Sequence, residues 1–240
     1  MNSIEKPIHS RENLQALNEK VMVALDINTT EKALELAEQL EKSGCWLKVG
    51  LELYALSGLS LINKFKEMGF NIFLDMKLHD IPTTVEKTLK VLTASGVDMI
   101  NVHCSGGYEM MARAAEVCHK ADKRIIGVTV LTSMSGDELS AIGVQGSAEE
   151  QVLKLAKLAQ NAGLDGVVAS AQEAKALRQA CGKEFLLVTP GIRPSWSEKN
   201  DQVRILTPQM ALEAGSSYLV VGRPITLNDD PRKALENLWR

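Results

Sequence analysis

Eight short apolar runs recur between Val21 and Arg223, and longer stretches, several of them amphipathic, fill the intervals. The runs are VMVALDI (21–27), WLKVG (46–50), NIFLDMKL (71–78), MINVH (99–103), RIIGVTVL (124–131), GVVAS (166–170), FLLVTPGI (185–192) and YLVVGR (218–223). Near-continuous apolar strands of this kind suit a sheet covered on both faces. TEKALELAEQLEKSG (30–44) is apolar at three- and four-residue spacing, which predicts a helix. Gly44 is placed to end that helix and Pro82 to begin another. Parallel neighbours need a crossover, usually helical. Eight such units in 240 residues predict an α/β chain of the (β/α)8 TIM-barrel class rather than an open sheet. No Pro/Gly/Ser-rich linker divides the chain, so one barrel domain is expected over residues 21–240, after a polar extension over 1–20.

Two connections exceed the usual βα turn of about 2–6 residues. TSMSGDELSAIGVQGSAEE (132–150) follows the fifth run, and RPSWSEKNDQVRILTP (193–208) the seventh. Long loops at a barrel's C-terminal face carry lids and ligand contacts.

Composition narrows the partners. A formal net charge of -3 and 4% aromatic content give no electrostatic or stacking platform for nucleic acid, and no membrane-surface signature. An anionic ligand must therefore be met by local cations. Cysteines 45, 104, 118 and 181 form no CxxC pair or zinc-type cluster, and the first twenty residues lack a signal-peptide apolar stretch. A cytoplasmic protein with reduced thiols and no metal is expected.

The charges fall systematically at the ends of the predicted strands. Asp26 closes the first, Lys48 lies late in the second, and Asp75 and Lys77 lie late in the third. Thr132 follows the fifth strand, Arg193 the seventh, and Arg223 ends the eighth. Asp75 and Lys77 are two apart, so a regular strand projects them from one face, toward Asp26 and Lys48. Burying ions costs several kcal/mol each and pairing often fails to beat an apolar replacement, so such a cluster is a poor device for stability. Lys77 beside Asp75 is a natural proton donor. VTPGIRP (188–194) and VVGRPIT (220–226) each put a glycine, Gly191 or Gly222, near an arginine just past a strand. The loops after strands seven and eight of barrels frequently bind phosphate, which Arg grips with two hydrogen bonds. His79 lies in the charged segment, His103 at a strand end reads as core or site wall, and YEMMARAAEVC (108–118) reads as a packed helix.

Taken together, FLDMKLHDIPTTV with its Asp-x-Lys-x-x-Asp pattern, and VALD, LKVG, LTS, TPGIRP, DQVR and VVGRPI in order, resemble the orotidine 5′-phosphate decarboxylase family. The resemblance runs from Val21 to the C-terminus. It implies cofactor-free, metal-free loss of CO₂ from orotidine 5′-phosphate, giving UMP in pyrimidine synthesis. Lys48, Asp75 and Lys77 would form the catalytic array, completed by Asp80 from the partner of a homodimer, with Thr84 reaching across the same interface. Asp26 and Lys48 would hold the ribose and Thr132 the pyrimidine. Gln202 would bridge ring and phosphate, and Arg193, Gly222 and Arg223 would bind phosphate. Mg²⁺-dependent 3-keto-gulonate 6-phosphate decarboxylases and hexulose-phosphate synthases share the third-strand pattern, but they carry a metal-holding carboxylate late in strand two, where this chain has Lys48. A non-catalytic nucleotide-phosphate sensor would typically lack one of Asp75, Lys77 and Asp80; all are present.

Overall fold

The computed structural model describes residues 11–196 and 206–239. Eight parallel strands close into a barrel in sequential order: β1 Val21–Ala24, β2 Trp46–Gly50, β3 Ile72–Leu78, β4 Met99–His103, β5 Arg124–Val128, β6 Gly166–Val168, β7 Leu186–Thr189 and β8 Tyr218–Val221. β8 pairs back onto β1, with Val21 opposite Leu219. The barrel expected from the alternating runs is therefore present. Helix α1 (Arg11–Asn18) precedes β1, and α2 (Thr30–Leu40), α3 (Leu51–Glu67), α4 (Pro82–Ala94) and α5 (Tyr108–Lys120) follow the first four strands. Then come α6 (Gly136–Ala141), α7 (Ala148–Asn161), α8 (Ala174–Cys181), α9 (Pro208–Glu213), α10 (Arg223–Thr226) and α11 (Pro231–Glu236).

Alternation along the strands makes two cores. Met22, Phe73, Met99, Ile126, Val188 and Val220 fill the barrel interior. Their neighbours, among them Val21, Val23, Ile72, Leu74, Ile100 and Ile125, face the helices. Phe73 is 1% exposed and sits directly beneath the mouth of the barrel. Truncating such a residue to Ala costs ~3–5 kcal/mol. At the opposite face, Asp98 and Asp165 accept from Ile72 N and Ile125 N at 2.8 and 2.7 Å, giving partners to amides at the starts of β3 and β5. Asn18, at the end of α1, donates to Ser43 O and accepts from Trp239 Nε1, so α1 packs there too.

The elements differ in extent from the sequence expectations. β1, β5, β6, β7 and β8 all stop two or three residues before their apolar runs do. Asp26 and Arg223 thus stand beyond the strands, in chain that turns around the barrel mouth, because the ladders stop first. α2 ends at Leu40, its last buried apolar position, four residues before Gly44. Lys42 and Gly44 adopt φ of 58° and 86° in the turn into β2, so Gly44 serves that turn and not the helix end. Pro82 does open α4. Residues 132–150 are not a plain loop: Ser135 with Glu138 and Ser147 with Glu150 form capping boxes that start α6 and α7. No described helix is long and apolar enough to cross a membrane.

Candidate active site

The C-terminal mouth of the barrel encloses a cavity of about 290 Å³. Val128, Val130, Val168 and Val220 give it an apolar wall. Lys48, Lys77, Arg193 and Arg223 face it against two carboxylates, Asp26 and Asp75, so the cavity is net cationic in a chain of net charge -3. Phe73 closes the floor. An anion is the ligand this arrangement favours.

β2 delivers Lys48, 8% exposed, with Nζ 3.3 Å from Asp26 Oδ1 and 3.5 Å from Asp75 Oδ2. Gly50 makes room for it: a Cβ there would stand 3.3 Å from Lys48 Nζ. β3 delivers Asp75 and Lys77, with Nζ donating to Asp75 Oδ1 at 2.7 Å. The carboxylate of Asp75 is thus held between two ammonium groups, one on each oxygen.

Regular alternation does not place Lys77. Its φ is 51°, in the left-handed region that costs an L-residue roughly 1–2 kcal/mol. Leu74 pairs with Ile100 and Leu78 with Val102, so β3 advances four residues while β4 advances two. The surplus bulges toward the cavity. Bulges beside active sites re-aim side chains, and this one brings Asp75 and Lys77 to a common point.

Asn101 on β4 escaped the sequence reading. Fully buried, it donates Nδ2 to Asp75 Oδ1 at 2.7 Å and accepts at Oδ1 from Lys77 N at 2.7 Å. Its only sequence signal was an amide in an otherwise apolar run. Burial pushes the Asp75 carboxyl up, but Lys48, Lys77 and the hydrogen bonds from Lys77 and Asn101 together hold it below its ordinary 3.8. Its ionised form therefore favours folding, fully above 3.8, and that contribution is lost as pH falls through the lower folded value. Asp75→Asn should accordingly lessen the loss of stability as pH falls below about 4, as measured by urea melts. His103, two residues on, lies beside His79, the rings tilted by 38° with centroids 5.5 Å apart; burial, then His79 and Lys77, hold its imidazole below the ordinary 6.5.

Thr132, Gly222 and Arg223 line the same cavity. Arg193 is 6% exposed, and its N–H donates to Leu206 O at 3.1 Å beside an Ile192–Leu206 bridge, which pins the two ends of the loop after β7 together. Asp80 and Thr84 are exposed and do not line the cavity of their own chain. Gln202 lies outside the described residues. Among those described, no three His, Cys, Asp or Glu side chains form a metal-holding group.

The family model described as "Orotidine 5'-phosphate decarboxylase / HUMPS family" matches residues 19–238. The chain belongs to that family. A protein of Saccharophagus degradans named orotidine 5′-phosphate decarboxylase is 50% identical over 221 residues, 91% of this chain and 93% of the relative. One of the same name from Idiomarina loihiensis is 52% identical over 221 residues, covering 91% and 96%. A crystal structure of orotidine 5′-phosphate decarboxylase from Lactobacillus acidophilus superposes with a TM-score of 0.82 at 40% identity, covering 91% of this chain and 96% of that one.

Proposed function

We propose that the chain removes CO₂ from orotidine 5′-phosphate to give UMP in pyrimidine biosynthesis, without metal or cofactor. The observation that carries this reading is the Lys48–Asp75–Lys77 array at the mouth of the barrel, with Lys77 Nζ 2.7 Å from Asp75. Its membership of a family whose relatives bear that enzyme name supports the substrate.

In the reaction the bond between C6 of the pyrimidine and its carboxylate breaks, CO₂ leaves, and the electron pair stays on C6. No adjacent carbonyl can absorb that charge. The Lys77 ammonium, fixed before the substrate arrives, stabilises it and then delivers a proton to C6. Asp75 orients that ammonium, while Lys48 balances Asp75 and, with Asp26, holds the ribose hydroxyls. Thr132 contacts the ring, Gln202 bridges ring and phosphate, and Arg193, Arg223 and the backbone at Gly222 take the phosphate. Binding energy from that remote group organises the reacting end.

A homodimer completes the site. Asp80 and Thr84 lie outside their own cavity, and Ile81 between Asp80 and Thr84 is 66% exposed, an apolar surface that an interface would cover. Asp80 and Thr84 then serve the partner's ribose. The cytoplasm is the compartment we assign.

Turnover of orotidine 5′-phosphate in excess EDTA, followed by ultraviolet absorbance with UMP confirmed as product, tests this reading. Undiminished activity is expected. Activity only on a sugar phosphate with added Mg²⁺ would overturn it. Arg223→Ala should raise KM for orotidine 5′-phosphate about 10- to 100-fold, the loss expected for a charged hydrogen bond, yet leave use of unphosphorylated orotidine nearly unchanged. Steady-state kinetics on both substrates checks this.

A further inference from the structure

We infer that Asn101 is the positioning residue that sets Lys77 against Asp75, an inference that rests on the proton-donor reading of Lys77. The amide orientation follows from its partners. A carboxylate oxygen can only accept and a backbone N–H can only donate, so Nδ2 must face Asp75 and Oδ1 must face Lys77 N. One rigid side chain therefore grips both ends of the reactive stretch, the Asp75 carboxylate and the Lys77 backbone.

The bulge explains why a grip is needed there. Between Leu74 and Leu78 the β3–β4 ladder loses its register, and within that gap Lys77 adopts its left-handed conformation. The Asn101 carbonyl takes the Lys77 N–H that the neighbouring backbone no longer pairs. Asn101 is 0% exposed, inside the barrel wall, and its own backbone stays in register opposite Ile126 on β5. The grip is thus anchored to a regular part of the sheet and reaches across to the irregular part. Its second bond shares Asp75 Oδ1 with Lys77 Nζ, so it also fixes where that oxygen points.

Two substitutions separate positioning from mere packing. Asn101→Leu keeps the branched shape and removes both bonds. With orotidine 5′-phosphate it should lower kcat about 10²-fold, the scale for a misplacement of about 1 Å, while KM and inhibition by UMP stay within about threefold. Asn101→Asp keeps the acceptor for Lys77 N but sets a second carboxyl against Asp75. Like charges at that distance share one proton, and the protonated pair restores the hydroxyl donor in place of the amide. Its kcat should therefore be highest at low pH and fall as pH rises, in a limb the native enzyme lacks. Lys48, Lys77, His79 and His103 stand around the array in both proteins, so only the additional limb counts.

Native kcat per folded molecule in Asn101→Leu would overturn the inference, as would a rise in KM alone. Should that variant not fold, an Asn101→Asp profile parallel to the native one overturns it equally. Lys77→Ala run alongside separates the two claims. If Lys77→Ala is inactive but both Asn101 variants are native-like, only the positioning role fails; if Lys77→Ala is active, the proton-donor reading fails first.

Discussion

Lys77→Ala is expected to lower kcat by about 10⁴-fold or more, because in the proposed mechanism it removes an electrostatic stabiliser and a general acid together. The barrel should persist. The substituted side chain lies at the mouth, 31% exposed, and Asp75 retains its contact with Lys48 at 3.5 Å and its bond from Asn101 at 2.7 Å. Far-UV circular dichroism then matches the native protein. UMP binding should persist too, since Arg193 and Arg223, the proposed phosphate ligands, are untouched. Without the lysine, two of the influences that lower the Asp75 pKa vanish, so its carboxyl titrates higher. Single-turnover kinetics with orotidine 5′-phosphate checks the central effect. Substantial residual turnover would mean that the proton reaches C6 by another route.

The second large effect is restoration of activity by mixing two inactive variants. Asp80→Ala should be nearly inactive although Asp80 lies outside the cavity of its own chain, because in the proposed dimer its carboxylate serves the partner. Lys77→Ala should be inactive in its own site. A hybrid of the two contains one site with neither group and one with both, since Lys77 and Asp80 there come from different chains. Random exchange makes half the dimers hybrid with half their sites intact, so activity should recover to about one quarter of native. Unmixed variants stay silent. No recovery, with exchange verified by mass spectrometry, would place Asp80 in service of its own chain.

Most of the architecture was legible because its signals are local and repeated. The eight apolar runs, Pro82 at the start of α4 and the buried Met110–Met111 pair in α5 follow from patterning alone. The convergence of Asp26, Lys48, Asp75 and Lys77 was legible as well, since a barrel gathers strand ends. Three features were not. Lys77 reaches the site through a bulge, and nothing in LDMKL announces a left-handed lysine. Asn101 had no partner at a telling spacing, because its partners lie on another strand. The strand ends were overextended because apolar composition outlasts the ladder where the chain bends around the cavity. The α6 and α7 starts were readable: Ser135–Glu138 and Ser147–Glu150 have the capping-box spacing, hidden inside what was read as one long loop.

The account turns on electron density at C6 and a proton from Lys77. Incubating the protein with UMP in deuterium oxide and following the C6 proton by NMR tests this directly, because the reverse of the last step must pass through the same carbanion. Exchange of C6–H for deuterium is expected with the native protein and not with Lys77→Ala. Native protein that turns over orotidine 5′-phosphate yet exchanges no C6 proton, or a Lys77→Ala variant that exchanges it at the native rate, would contradict the account.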